Sequence, residues 1–241
     1  MYYYQPEPSL TLNLALIAAA VVPALILMYI IYKLDRLEKE SSHVLFQLAK
    51  AGVFSALLAM IEERVLCAVL NAALVPGSVL YNVILYFGIV AFAEESSKYL
   101  LLKRNSWNFG EFNCKFDGVI YAVFVALGFA LWENISYVLI YGFGTALVRA
   151  VTAIPGHACF GVFMGVFYAL AKENELMGYH EQSGKYRLLA VFVPALLHGA
   201  YDYIATSGSL VGSGVFLVFI AAMFAVSFHL VRKMSREDKY M

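Results

Sequence analysis

Seven apolar runs of roughly 20 residues, separated by short charged stretches, predict seven membrane-crossing helices. They lie at about 10–32, 44–75, 79–102, 116–140, 145–171, 188–205 and 210–231, each close to the length a bilayer core requires. The second is long and is interrupted by Glu62-Glu63-Arg64, which predicts a helix end or bend. A shorter span followed by an interfacial helix near 66–74 is the alternative. No basic segment precedes the first run, whereas Lys33, Arg36 and Lys39 follow it, a stop-transfer pattern rather than a signal peptide. With seven spans, 13 of the 17 Lys and Arg residues fall on the side of that first loop: in it, in 103–115, in 172–187 and in the tail from 232. Positive charge is retained in the cytoplasm, so the expected topology is N-out, C-in, in the cell membrane.

Composition agrees. Hydrophobic residues make up 62% of the 241 and charged ones 14%; a soluble domain of this size cannot bury that much apolar surface. The expected fold is therefore all-α, one multi-pass integral membrane bundle with its chemistry-bearing core at about 79–206. The formal net charge is zero, which argues against a nucleic-acid partner. Cys67, Cys114 and Cys159 are scattered and lack metal-ligand spacing. Tyr2-Tyr3-Tyr4, Trp107 and Tyr240, near span ends, fit interfacial aromatic belts. Gly118, Gly128, Gly161 and Gly165 read as close helix packing, internal rather than dimeric.

Ionisable side chains well inside a span are costly in lipid and mark functional interiors. The third span carries Glu94, Glu95 and Lys98, the fourth Glu133 beside Asn134, the fifth Arg149 and His157, and the sixth His198 and Asp202. Lys98 lies three and four residues after the two carboxylates and can reach either. A lysine that neutralised one Glu and snorkelled to the nearby surface would explain one acid but not two. Adjacent residues point about 100° apart, so the second Glu faces His157 or His198. His198 and Asp202, at i and i+4, share a helix face, where the carboxylate can orient the imidazole. Pro155-Gly156 loosens the helix before His157. At 1.5 Å per residue, Glu133 lies about 25 Å from the basic end of its span and Glu94 about 13 Å from that of its own. Glu133 is thus a supporting residue that either reaches the histidines by tilt or pairs with Arg149 nearer the opposite side.

Two carboxylates and two histidines in a low-dielectric interior suit activation of water, with Glu94 or Glu95 as base and a histidine stabilising an oxyanion. No zincin, nucleophile-elbow or paired-Asp motif is present. Glu94, His157 and His198 also offer a His₂–carboxylate zinc site, so these residues leave the cofactor open. A proton-coupled transporter would use similar groups but commonly shows internal repeats, and none is visible here. A non-catalytic membrane scaffold is the other alternative.

The order of motifs is specific. AEESSK at 93–98 resembles the EExxK motif of the PrsW family of intramembrane proteases, and FDGVIYAVFVALGFALWENISYV at 116–138 its DG…GFxxxEN segment. RAVTAIPGHACF at 149–160 resembles its His-bearing motif and HGAYD at 198–202 its HxxxD. The superfamily of CAAX-prenyl endopeptidases and bacteriocin-immunity (ABI) proteins, to which that family is assigned, carries HxxxN where this chain has HxxxD. The scaffold alternative corresponds to its Aph-1-like relatives. The resemblance implies an ABI-like helical core and a multi-pass peptidase. Its catalytic residues would be Glu94, Glu95, His157 and His198, supported by Lys98, Asp202, Glu133, Asn134 and Arg149. The substrate would be a membrane-anchored protein, by family analogy an anti-sigma factor receiving its first cut. Such families are described as metal- or glutamate-dependent; two Glu and Lys98 on one helix favour the metal-free mechanism, with zinc the alternative.

Overall fold

The computed structural model describes residues 10–241, with side chains from residue 14, so the Tyr2-Tyr3-Tyr4 part of the expected belt lies outside the described residues. Helix α1 spans Leu10–Leu34 and α2 Ser42–Ala73. A short α3 (Val79–Val83) runs through a π-helical segment, Ile84–Val90, into α4 (Ala91–Ser106). Then follow α5 (Lys115–Tyr141), α6 (Phe143–Val151), α7 (Ala153–Leu176), α8 (His180–Ala205) and α9 (Leu210–Arg236). Seven of the resulting helical runs are long and apolar enough to cross a membrane, as the hydropathy pattern predicts. Large apolar side chains such as Phe46, Phe54, Leu217 and Val218 cover the outside, where the solvent is lipid.

Short polar residues start the helices. The hydroxyls of Ser41, Ser78 and Ser209 accept the free backbone N–H groups of Val44, Tyr81 and Gly212. In α5 the reach is reversed: Asp117, in the first turn, accepts from the N–H groups of Asn113 and Cys114, which precede the helix. The chain reverses between α5 and α6 at a single residue, Gly142, whose φ of 82° disfavours any side chain.

Helix α5 is the axis of the bundle; every residue from Phe116 to Ala130 is buried. Glycine sets how closely its neighbours approach. A Cβ on Gly165 of α7 would sit 2.5 Å from the Val119 Cα, and one on Gly52 of α2 2.1 Å from the Val125 carbonyl oxygen. The Gly161–Gly165 pair thus packs internally, against Ala122, Val123 and Val119.

Two expectations are corrected. Helix α2 is unbroken through Glu62-Glu63-Arg64: nothing there removes a backbone donor, and flanking Leu, Ala and Met favour helix. The fifth span is two helices, broken at Thr152 just before Pro155, whose ring cannot continue a helix from the preceding turn. Trp107, at the end of α4, is half-buried. Its ring packs on Tyr168 and Phe112, with ring centres 5.2 and 6.4 Å away.

Candidate active site

The π-helical segment leads directly into Ala91, so the first turns of α4 deliver Glu94, Glu95 and Lys98 to the bundle interior. Lys98 is completely buried and does not snorkel. Its ammonium donates to Glu95 Oε1 at 2.7 Å, to Glu94 Oε2 at 3.2 Å and to His157 Nδ1 at 3.2 Å, and it lies 3.9 Å from the centre of the Phe129 ring. An ammonium has three N–H donors and no acceptor. All three are used here.

That arrangement fixes the tautomer of His157. Nδ1 accepts from Lys98, so the ring proton resides on Nε2, which donates to Glu133 Oε2 at 2.8 Å. Arg149 donates to the same Glu133 oxygen and to Asn134 Oδ1, both at 2.8 Å, and Asn134 donates to the Ala20 carbonyl of α1 at 3.0 Å. Glu133 thus pairs with Arg149 and with His157 at once. The separation in depth inferred for it does not hold, because the helices do not end in one plane. Glu133 lies about 27 Å from the start of α5 and His157 about 28 Å from the end of α7, whereas Glu94 is only about 18 Å from the end of the shorter α4.

His198 stands on the other side of the glutamates. Its Nδ1 is 2.9 Å from Glu95 Oε1 and 3.8 Å from Glu94 Oε2, and its Nε2 is 3.4 Å from Asp202 Oδ2. The Nδ1–Glu95 contact is a hydrogen bond, whereas Asp202 stands at the longer distance of an ion pair beside Nε2. Phe160 stacks on the ring at 4.7 Å and holds its plane.

The two glutamates have different surroundings. Glu95 is fully buried, with Oε2 unpartnered. Glu94 lines a cavity of ≈ 500 Å³ together with Glu133, His157, His198 and Asp202. Among the described residues its one hydrogen bond is to Oε2, from Lys98. The cavity is therefore a space where a water and a peptide bond can meet one carboxylate and one imidazole. The sequence did not single out Tyr201 and Glu63, which also line it; Glu63 was read as part of a helix end.

Glu94, Glu95 and His157 have ligand atoms within 4.8 Å of one another, a spacing a metal can use. Those donors, however, all face the Lys98 ammonium. A divalent ion at the usual ~2.0–2.2 Å from these atoms would lie against a fixed positive charge. The three atoms that face Lys98 thus fit the lysine rather than an added cation.

The PrsW family intramembrane metalloprotease model matches residues 40–229. The chain is 32% identical over 193 residues to a protein named Protease PrsW from Bacillus subtilis, covering 80% of this chain and 84% of that one. It is 31% identical over 226 residues to the Protease PrsW of Halalkalibacterium halodurans, covering 93% and 99%, and 30% identical over 227 residues to that of Geobacillus kaustophilus, covering 94% and 93%. No solved structure matches the chain.

Proposed function

The chain belongs to the PrsW family of intramembrane proteases, and from that premise we propose that it hydrolyses peptide bonds of membrane-anchored proteins with a water activated by Glu94. The carrying observation is that Glu94, not Glu95, faces the cavity, beside an imidazole with carboxylates at both nitrogens. A water held there gives a proton to Glu94, and its oxygen attacks the scissile carbonyl carbon. The carbonyl electron pair moves onto oxygen, where the Nε2–H of His198 receives the developing charge. His198 can release that proton from its long contact with Asp202 while Glu95 keeps Nδ1 in place. Collapse breaks the C–N bond, and the amine leaves with the proton held by Glu94.

Lys98 and Glu95 act here as positioning groups, as does the chain from Asn134 through Arg149 and Glu133 to His157. No step here is routed through a metal: the Lys98 ammonium already stands against Glu94 Oε2, Glu95 Oε1 and His157 Nδ1 and supplies the positive charge there. The residues holding His198 suit the ABI-like site, with a carboxylate in place of that superfamily's amide. The basic end would face the cytoplasm, and a membrane-anchored anti-sigma factor is the substrate class that family membership favours.

The test is cleavage of a single-span reporter by purified protein. Loss of a general base or oxyanion donor costs a factor of about 10² to 10⁴, so Glu94→Gln and His198→Ala are expected to lose measurable cleavage. Asp202→Asn retains part, since an amide still orients the ring. Full activity in Glu94→Gln would remove the assigned base.

A further inference from the structure

Glu63 makes no hydrogen bond or ion pair among the described residues, yet it lines the cavity of the candidate site. It lies about two thirds of the way along α2, on one helical face with Ala56 and Met60, which also line the cavity. The flanking charges of its segment are accounted for: Glu62 accepts from the Ser97 hydroxyl at 3.3 Å, and Arg64 is exposed. Every other carboxylate on the cavity wall has a cationic or imidazole partner. Glu94 has Lys98, Glu133 has Arg149 and His157, and Asp202 has His198. An unmatched carboxylate on the wall of such a cavity can receive a counter-charge from what enters it.

The helices around Glu63 leave room for one. Helices α2 and α5 touch most closely where Gly52 meets Val125 and Gly128 meets Ala49, and Ala56 and Ala59 still pack on Phe129. Beyond that point Met60 and Glu63 on α2, and Trp132 and Ser136 on α5, line the cavity. Met60 and Trp132 are 36% and 37% exposed, so this is an opening in the wall rather than a packed seam.

We propose that Glu63 is a specificity-determining residue that binds a lysine or arginine of the substrate segment lying between α2 and α5, close to the scissile bond. The inference rests on the peptidase reading and adds the substrate feature it selects. A cavity of ≈ 500 Å³ accommodates only a short stretch of chain, so the basic residue falls within a few positions of the cut.

The experiment uses purified full-length protein and a set of single-span reporters. Each carries Lys, Gln or Glu at successive positions flanking the cleavage site, and kcat and KM are measured separately. At one position the wild type is expected to favour Lys over Glu by at least about tenfold, since juxtaposing like charges is strongly disfavoured. Glu63→Gln is expected to abolish that preference by raising KM for the Lys reporter, and Glu63→Lys to reverse it in favour of the Glu reporter. A Lys preference unchanged in both variants would overturn the proposal, as would a fall in kcat alone, equal for all reporters. If the wild type cleaves none of the reporters, the peptidase reading itself falls with it; cleavage without charge preference overturns only the role of Glu63.

Discussion

Lys98→Met removes the ammonium shared by Glu94, Glu95 and His157 while keeping most of the side-chain volume against Phe129. Glu95 is fully buried and would keep only the His198 contact at 2.9 Å, and Glu94 would lose its one hydrogen bond among the described residues. Removing one partner of a buried ion pair costs about 3–5 kcal/mol, because the remaining charge has neither water nor counter-charge. That is a large part of the roughly 5–15 kcal/mol that holds a typical protein folded. For a chain of this size it corresponds to a midpoint lower by roughly 6–20 °C. The assay is thermal unfolding in detergent of the wild type, Lys98→Met and Lys98→Met/Glu95→Gln. The second substitution neutralises the buried carboxylate and leaves an oxygen for His198, so it is expected to recover most of the lost midpoint without recovering cleavage. A single variant as stable as the wild type, or a double variant less stable than the single, would refute the account of Lys98 as the electrostatic centre.

Other consequences are equally open to measurement. Gly165→Ala would bring a Cβ to 2.5 Å from the Val119 backbone, and overpacking of this kind costs about 1–3 kcal/mol; thermal unfolding should show a clear loss, whereas Gly110→Ala, with nothing within 4 Å, should be silent. Cys114 is 1% exposed, and burial pushes its thiol up to about 12. It is covered by the tail, where Tyr240 pairs with it and Met241 donates to the Asn113 carbonyl. A maleimide should therefore label it slowly in the intact protein and at least about tenfold faster once residues 237–241 are removed. Burial, followed by the nearby Asp117 charge, raises the Glu40 carboxyl from 4.5 to about 8. The folded protein thus holds a proton there that the unfolded chain has released, so this group's contribution to stability is present below pH 4.5 and is lost as pH rises to about 8. The difference in midpoint between wild type and Glu40→Gln, followed from pH 4.5 to 8.5, should change in that direction; a constant difference would show that Glu40 is not protonated in the fold.

Periodicity and the cost of charge in lipid made the seven spans legible, and with them the convergence of Glu94, Glu95, Lys98, His157 and His198. Both follow from local rules: an apolar run must span, and a charge within it must turn inward. What stayed hidden depended on tertiary placement. Counting residues along α5 could not reveal how far α4 falls short of α7, so Glu133 looked too distant from His157. Glu62-Glu63-Arg64 looked like a helix end because three charges in a span are expensive; their accommodation depends on Ser97 and on a cavity that only the assembled bundle forms. The π-helical segment Ile84–Val90 contains no proline, and its one glycine, Gly88, sits in a continuous apolar run that reads as ordinary helix. Cys114 is paired with a tail more than a hundred residues away, a contact that nothing in its own loop announces.

The central claim is that Glu94 activates water with Lys98, not a metal, as the neighbouring positive charge. The most direct measurement is the initial rate at which purified protein cleaves a single-span reporter before and after treatment with a strong chelator, with bound zinc quantified in the same samples. The account predicts an undiminished rate after chelation, and no stoichiometric zinc before it. Loss of cleavage on chelation, restored by added zinc, would contradict it.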